Sequence, residues 1–147
     1  MKVYNGIANE NLLNTFSDIN GLTLMNHVAN TYNIDMAIGF AALFCPAFVE
    51  IENCVFIKEF YNDNIEELKK YYHSTKEIEL FVNSWAVSEL LHYDSECSND
   101  KTLEFAKILQ YFWQMRVNEV FPNKNIMVEI GNDIMDEEGI TITMYQK

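Results

Sequence analysis

MAIGFAALFCPAFVEIENCVFI, residues 36–57, carries only two charges, Glu50 and Glu52. Met36 to Phe44 has none, and such an uncharged run reads as a buried helix. Pro46 cannot donate a backbone hydrogen bond and pushes Cys45 away from αR, so the helix is expected to stop there. Phe48 to Ile57 then reads as a hairpin turning at Glu52-Asn53, because Asn tolerates a positive φ. A two-residue loop pairs Ile51 with Cys54, Glu50 with Val55 and Val49 with Phe56. One face of this hairpin is wholly apolar, and Glu50 is the only charge on the other. The stretch describes a core rather than a catalytic site.

The rest of the chain is read outward from that core. Towards the N-terminus, residues 9–19 have Leu12, Phe16 and Ile19 at helical spacing, closed by Asn20-Gly21. Thr23 is an N-cap candidate for a second helix, with Leu24, Val28 and Tyr32 on one face. Asp35 is placed to cap the apolar helix. After the hairpin, Ile65, Leu68 and Tyr72 share a face over 64–72. Ser74 and Glu77 form a capping-box pattern, which predicts a helix over 75–91 with Ile78, Phe81, Val82 and Trp85 inside. Residues 93–100 are polar and acidic and read as a loop. A long helix over 100–120 carries the polar stripe Glu104, Lys107, Gln110, Gln114 and Asn118. Its opposite arc is apolar, broken near its end by Arg116 and Glu119, so the last turn is expected to be exposed. Pro122 and Asn123 end it.

The C-terminal part switches to period two. Ile126, Val128 and Ile130 alternate with Met127 and Glu129, and Ile140, Ile142 and Met144 alternate with Thr141, Thr143 and Tyr145. Asp136 to Gly139 is the natural tip, which makes the numbers of facing residues sum to 275. That register sets Ile130 opposite Tyr145 and apolar against polar, so a bulge near Gly131 is needed to restore the phase. The fold class is α+β: an antiparallel sheet built from two hairpins, about 48–57 and 126–145, covered by five or six helices. At 147 residues a single domain, 1–147, is expected. Trp85, Trp113, Phe56 and Val128 are expected in the core.

Composition narrows the function. Acids outnumber bases 22 to 10, for a net charge of −12. Direct binding to nucleic acid or to an anionic membrane is disfavoured, and a basic protein partner is favoured. No apolar run reaches the roughly 20 residues of a membrane span, and MKVYNGIANEN lacks a signal-peptide core, so a cytoplasmic location is expected. Cys45, Cys54 and Cys97 read as structural thiols. His92 with Asp94 and Cys97 has no second ligand pair at zinc spacing. Cys45 lacks the electropositive setting of a nucleophile. Residues 131–139 lack the alternating ligands of an EF-hand and read as a solvated turn. No catalytic, metal or cofactor site is expected.

Two acidic clusters remain: Glu89, Asp94, Glu96, Asp100 and Glu104; and Glu129, Asp133, Asp136, Glu137 and Glu138. If they adjoin in space they form one negative face. Tyr93 and Met135 are the apolar anchors within these regions. The candidate partner-binding set is therefore Glu89, Tyr93, Asp94, Glu96, Asp133, Met135, Asp136, Glu137 and Glu138.

The segment from Phe44 through Cys45-Pro46 to Ile57 resembles a group of small bacterial proteins with a similar hairpin after an apolar helix. The wider pattern of a small, acidic α+β chain without a catalytic motif is similar to immunity proteins of bacterial polymorphic or contact-dependent toxin systems. That resemblance implies a protein that binds and blocks a cognate toxin, often a basic nuclease. It carries over no binding residue, because such families share no binding motif. An acidic nucleic-acid mimic that occupies a DNA-binding protein is one alternative. A small enzyme or ligand binder with a pocket between helices and sheet is another.

Overall fold

The computed structural model describes residues 1–13, 23–90 and 98–147. Its centre is the hairpin β1 (Phe48–Ile51) and β2 (Cys54–Ile57), in the register the sequence predicts, from Phe48 opposite Ile57 to Ile51 opposite Cys54. Glu52 and Asn53 have φ of 49° and 73°, as a two-residue loop of right-handed strand twist requires. All of β2 is buried, on both faces. Val55 and Ile57 join one hydrophobic cluster with Leu109, Trp113 and Val117. Cys54 and Phe56 join a second with Ile65, Leu68 and Ile78.

Ile65 and Leu68 come from α3 (Ile65–Tyr71), and Ile78 from α4 (Thr75–Asn83). The capping box forms as expected: Ser74 Oγ accepts from Glu77 N at 3.2 Å, and Glu77 Oε2 accepts from Ser74 N at 3.1 Å. The helix ends at Asn83, however, and not at 91. The chain extends there into β3 (Trp85–Ala86), followed by a 3-10 turn over Val87–Glu89. Trp85 keeps helical spacing with Ile78 and Val82, and a strand this short has no alternation to betray it. Phe81 is exposed rather than inward, and Trp85 is only partly buried. The inner face of α4 is instead Ile78, Glu79, Val82 and Asn83, with Glu79 and Asn83 fully enclosed.

The long helix α5 (Asn99–Val120) is capped by Ser98 and buries Ala106, Leu109, Trp113 and Val117. It packs on β4 (Ile126–Asn132) and β5 (Ile140–Gln146). Facing numbers in this pair sum to 272, with Ile126 opposite Gln146 and Ile130 opposite Ile142. The expected sum of 275 and the bulge are both wrong. The connection turns over 133–139 rather than 136–139, so even positions face even ones and apolar meets apolar. Trp113, Phe56 and Val128 are buried as expected.

The strands form two sheets rather than one: β1-β2, and β3-β5-β4. Two polar side chains on α4 join them. In the hairpin, Val55 and Ile57 turn their backbone groups away from β1. Glu79 Oε1 accepts from Val55 N at 2.7 Å, Asn83 Oδ1 accepts from Ile57 N at 3.0 Å, and Asn83 Nδ2 donates to Val55 O at 2.9 Å. On the other side, Glu79 Oε2 accepts from Gln146 N at 2.7 Å, and Asn83 Nδ2 donates to Met144 O at 3.0 Å. Trp85 then pairs with Ile142. Residues 79, 83 and 85 thus satisfy the edge of β5 at 146, 144 and 142 in turn. The polar stripe of α5 serves the opposite edge of that sheet: Gln110 and Gln114 bond to Val128 and Ile126 of β4.

Towards the N-terminus, the expected helix over 9–19 is described only as a 3-10 turn, Glu10–Leu12; residues 14–22 lie outside the described residues. α1 (Leu24–Thr31) starts at Thr23 as expected. α2 (Ile34–Phe44) is capped by Asn33, whose side chain accepts from Met36 N at 2.9 Å, and not by Asp35. α2 also overturns the expectation of a buried helix. Every residue from Ile34 to Ala42 is exposed, and only its end is held down. There Trp113 Nε1 donates to Leu43 O at 2.8 Å, and Phe44 meets Phe105 and Phe112.

Candidate interaction surfaces

The described acids Glu89, Asp100 and Glu104 of one cluster and Asp133, Asp136, Glu137 and Glu138 of the other lie towards one end of the three-stranded sheet. β3 runs antiparallel to β5 and places Ala86 opposite Thr141, so the turn that carries Glu89 continues towards Ile140 and Gly139. α5 runs antiparallel to β4: Gln114 bonds at Ile126 and Gln110 at Val128. Its first turns, with Asp100 and Glu104, therefore lie towards Asn132 and the 133–139 connection. Asp133, Asp136, Glu137 and Glu138 fill that connection. Among the described residues, none of Glu89, Asp100, Asp133, Asp136, Glu137 and Glu138 makes an ion pair. The ion pairs of Lys69 with Glu52 and Glu66, of Lys124 with Glu50 and of Arg116 with Glu119 all involve other acids.

The connection has a defined shape. Asp133 N donates to Gly139 O at 2.9 Å, and Asp133 Oδ1 accepts from Gly139 N at 2.8 Å. Asp133, Met135 and Asp136 all have positive φ, between 54° and 66°. Asp accepts that conformation readily, whereas for Met135 it costs about 1–2 kcal/mol. Ile134 folds back over Gly131, where an added Cβ would come within 2.8 Å of Ile134 Cδ1. The carboxylates of Asp136 and Glu138 are left facing solvent, while Met135 is half-buried.

Tyr93, Asp94 and Glu96 lie outside the described residues, as do His92 and Cys97. Glu129 is exposed, but its carboxylate is engaged: it accepts from the Tyr145 hydroxyl at 2.5 Å, while Lys76 sits 4.3 Å above the Tyr145 ring. That hydrogen bond, with burial adding to it, raises the Tyr145 pKa above its ordinary value. Glu104 accepts from Asn9 N at 2.9 Å. Cys54 is buried and its thiol is pushed up by desolvation, as a structural cysteine's is; Cys45 is exposed. Among the described residues, no group of His, Cys, Asp and Glu is placed to hold a metal ion.

The apolar surface around α2 was missed by sequence reading. A hollow of about 440 Å³ lies between α2 and the body, lined by Met36, Phe40, Leu43, Ile57, Phe60 and Trp113, among others. Among the described residues, Glu59 is the only ionisable one in its lining. Ile34, Met36 and Ile38 stand exposed beside it. The signal was the charge-free stretch itself, which reads identically whether a helix is buried in its own core or stands on a surface.

The architecture is that of an α+β protein with an acidic end and a separate apolar helix, and no described helix is long and apolar enough to cross a membrane. Comparison with protein-family models, curated proteins and solved structures finds no match.

Proposed function

We propose that the protein acts by binding: it is an immunity-type inhibitor that docks a basic partner, a toxin domain, on the acidic end of its three-stranded sheet. The observation that carries this reading is the convergence there of Glu89, Asp100, Asp133, Asp136, Glu137 and Glu138, none of them in an ion pair among the described residues. Unpaired carboxylates on a pinned loop cost little to present and attract a basic surface over a Debye length of about 8–10 Å. Met135, held in place by its backbone, supplies a short apolar contact beside them.

The test uses the basic partner recovered with the protein from its native host. Association rate is measured against ionic strength for the native chain and for Asp133→Asn/Asp136→Asn/Glu137→Gln/Glu138→Gln. Rim charges act mainly on encounter, so the variant should associate about 10-fold or more slowly at low salt, with a flatter salt dependence and a similar dissociation rate. An association rate indifferent to both salt and substitution would leave the charge as a solubility device and overturn the proposal.

A further inference from the structure

Met36, Gly39, Phe40 and Leu43 recur at i, i+3, i+4 and i+7 of α2 and form the side that lines the hollow. The body of the protein faces that side without filling the space: about 440 Å³ is left between α2 and a floor that includes Ile57 and Trp113. Both floor residues belong to the packed core, so the hollow is preformed. Its volume lies within the ~300–1,000 Å³ of small-molecule sites, which are likewise mostly apolar with few polar groups. Gly39 adds an independent observation. Glycine weakens a helix interior and is kept there when a neighbour approaches too closely for a side chain. No neighbour does so at Gly39, where a Cβ would meet nothing within 4 Å. What the missing side chain leaves is room in the hollow.

The lining selects the charge of the occupant. Its one side-chain donor, the Trp113 indole N–H, is already given to Leu43 O at 2.8 Å, so an anion finds no side-chain partner there. The net charge of −12 repels an anion as well. Glu59, on the 3-10 turn Lys58–Phe60, lines the same hollow, is exposed, and enters none of the ion pairs among the described residues. It is the group that a cation would meet. We propose that the hollow under α2 is a binding site for a small molecule with an apolar body and a single cationic head, the body lying against Phe40, Leu43 and Trp113 and the head meeting Glu59.

The experiment titrates the whole chain with octylamine, octanol and octanoate, which share one alkyl length and differ in the charge of the head. Binding is followed by calorimetry and by the amide and indole N–H signals of the native chain. Octylamine should bind saturably and about 5-fold tighter than octanol, with octanoate weaker still, because an exposed carboxylate adds only a modest ion contact. Glu59→Gln should bring octylamine and octanol together. Gly39→Leu places a side chain in the hollow and should weaken both about 10-fold or more without lowering the thermal midpoint. On the native chain, octylamine should shift the Trp113 indole signal and the amides of residues 36–43. The proposal is overturned by no saturable binding, or by octanol or octanoate bound as tightly as octylamine. A preference for octylamine that survives Glu59→Gln, or binding that survives Gly39→Leu and leaves the Trp113 indole signal in place, would also overturn it.

Discussion

The sheets are joined at Glu79 and Asn83, and the chemistry there is exacting. Glu79 accepts from Val55 N, Gln146 N and Gln146 Nε2, each at 2.7 Å, in a site closed to solvent. All three partners are donors, which suits the two acceptor oxygens of a carboxylate and not an amide. Glu79→Gln should therefore set an NH₂ group against an N–H and cost about 2–4 kcal/mol, read as a lower urea midpoint. Asn83→Asp turns the donor shared by Val55 O and Met144 O into a third oxygen and should be at least as costly. At the surface, Glu77 is simpler. Its carboxylate accepts from His73 N and Ser74 N, the first having the larger effect, and this lowers its pKa below the ordinary 4.5. A lowered carboxylate pKa adds stability that is present above the unfolded value and lost as pH falls through the folded one. The stability gap between the native chain and Glu77→Gln should accordingly be widest above about pH 5 and close on acidification, as urea midpoints against pH will show.

Among the elements, α2 departs furthest from what its residues announce. Gly39 lies mid-helix, and a Cβ there would meet nothing within 4 Å. If α2 stands free of its own core, Gly39→Ala should stabilise it by about 0.5–1 kcal/mol through helix propensity alone, raising the thermal midpoint of the monomer. A lower midpoint would mean that the helix packs closely there. The hairpin β1-β2 behaves in the opposite way, matching its sequence residue for residue, because an Asn-containing two-residue turn and an apolar face on each side leave one register. The β4-β5 pair shows where such reasoning slips. With four residues of positive φ, Asp133, Met135, Asp136 and Gly139, the connection takes up more chain than a tight turn, and a miscounted tip shifts every pair.

Across the whole molecule, the helix–strand content and most element starts were legible, because caps and periodicity are local signals. The division into two sheets was not. It rests on Glu79 and Asn83, whose partners lie 24 to 67 residues away and whose polar character reads as solvated surface. For the acidic end, the residues were legible and their convergence was left conditional. Only the antiparallel run of β3 and α5 against β5 and β4 brings Glu89 and Asp100 towards residues 133–139. The apolar surface was invisible for a different reason: hydrophobicity marks what must be covered but not by which chain.

β5 has a consequence for the order of assembly. Residues 140–146 form the middle strand of one sheet and, through α4, the tie to the other. During synthesis the hairpin, α3 and α4 emerge first and can collapse around Phe56 and Ile78, but Glu79 and Asn83 must wait with half their partners unmade. Until residues 144–146 are in place, Glu79 and Asn83 can serve Val55 and Ile57 of β2 but lack their partners on β5. The closure of the two sheets on α4 thus waits on contacts 61 to 67 residues apart, long-range pairings of the kind that slow folding.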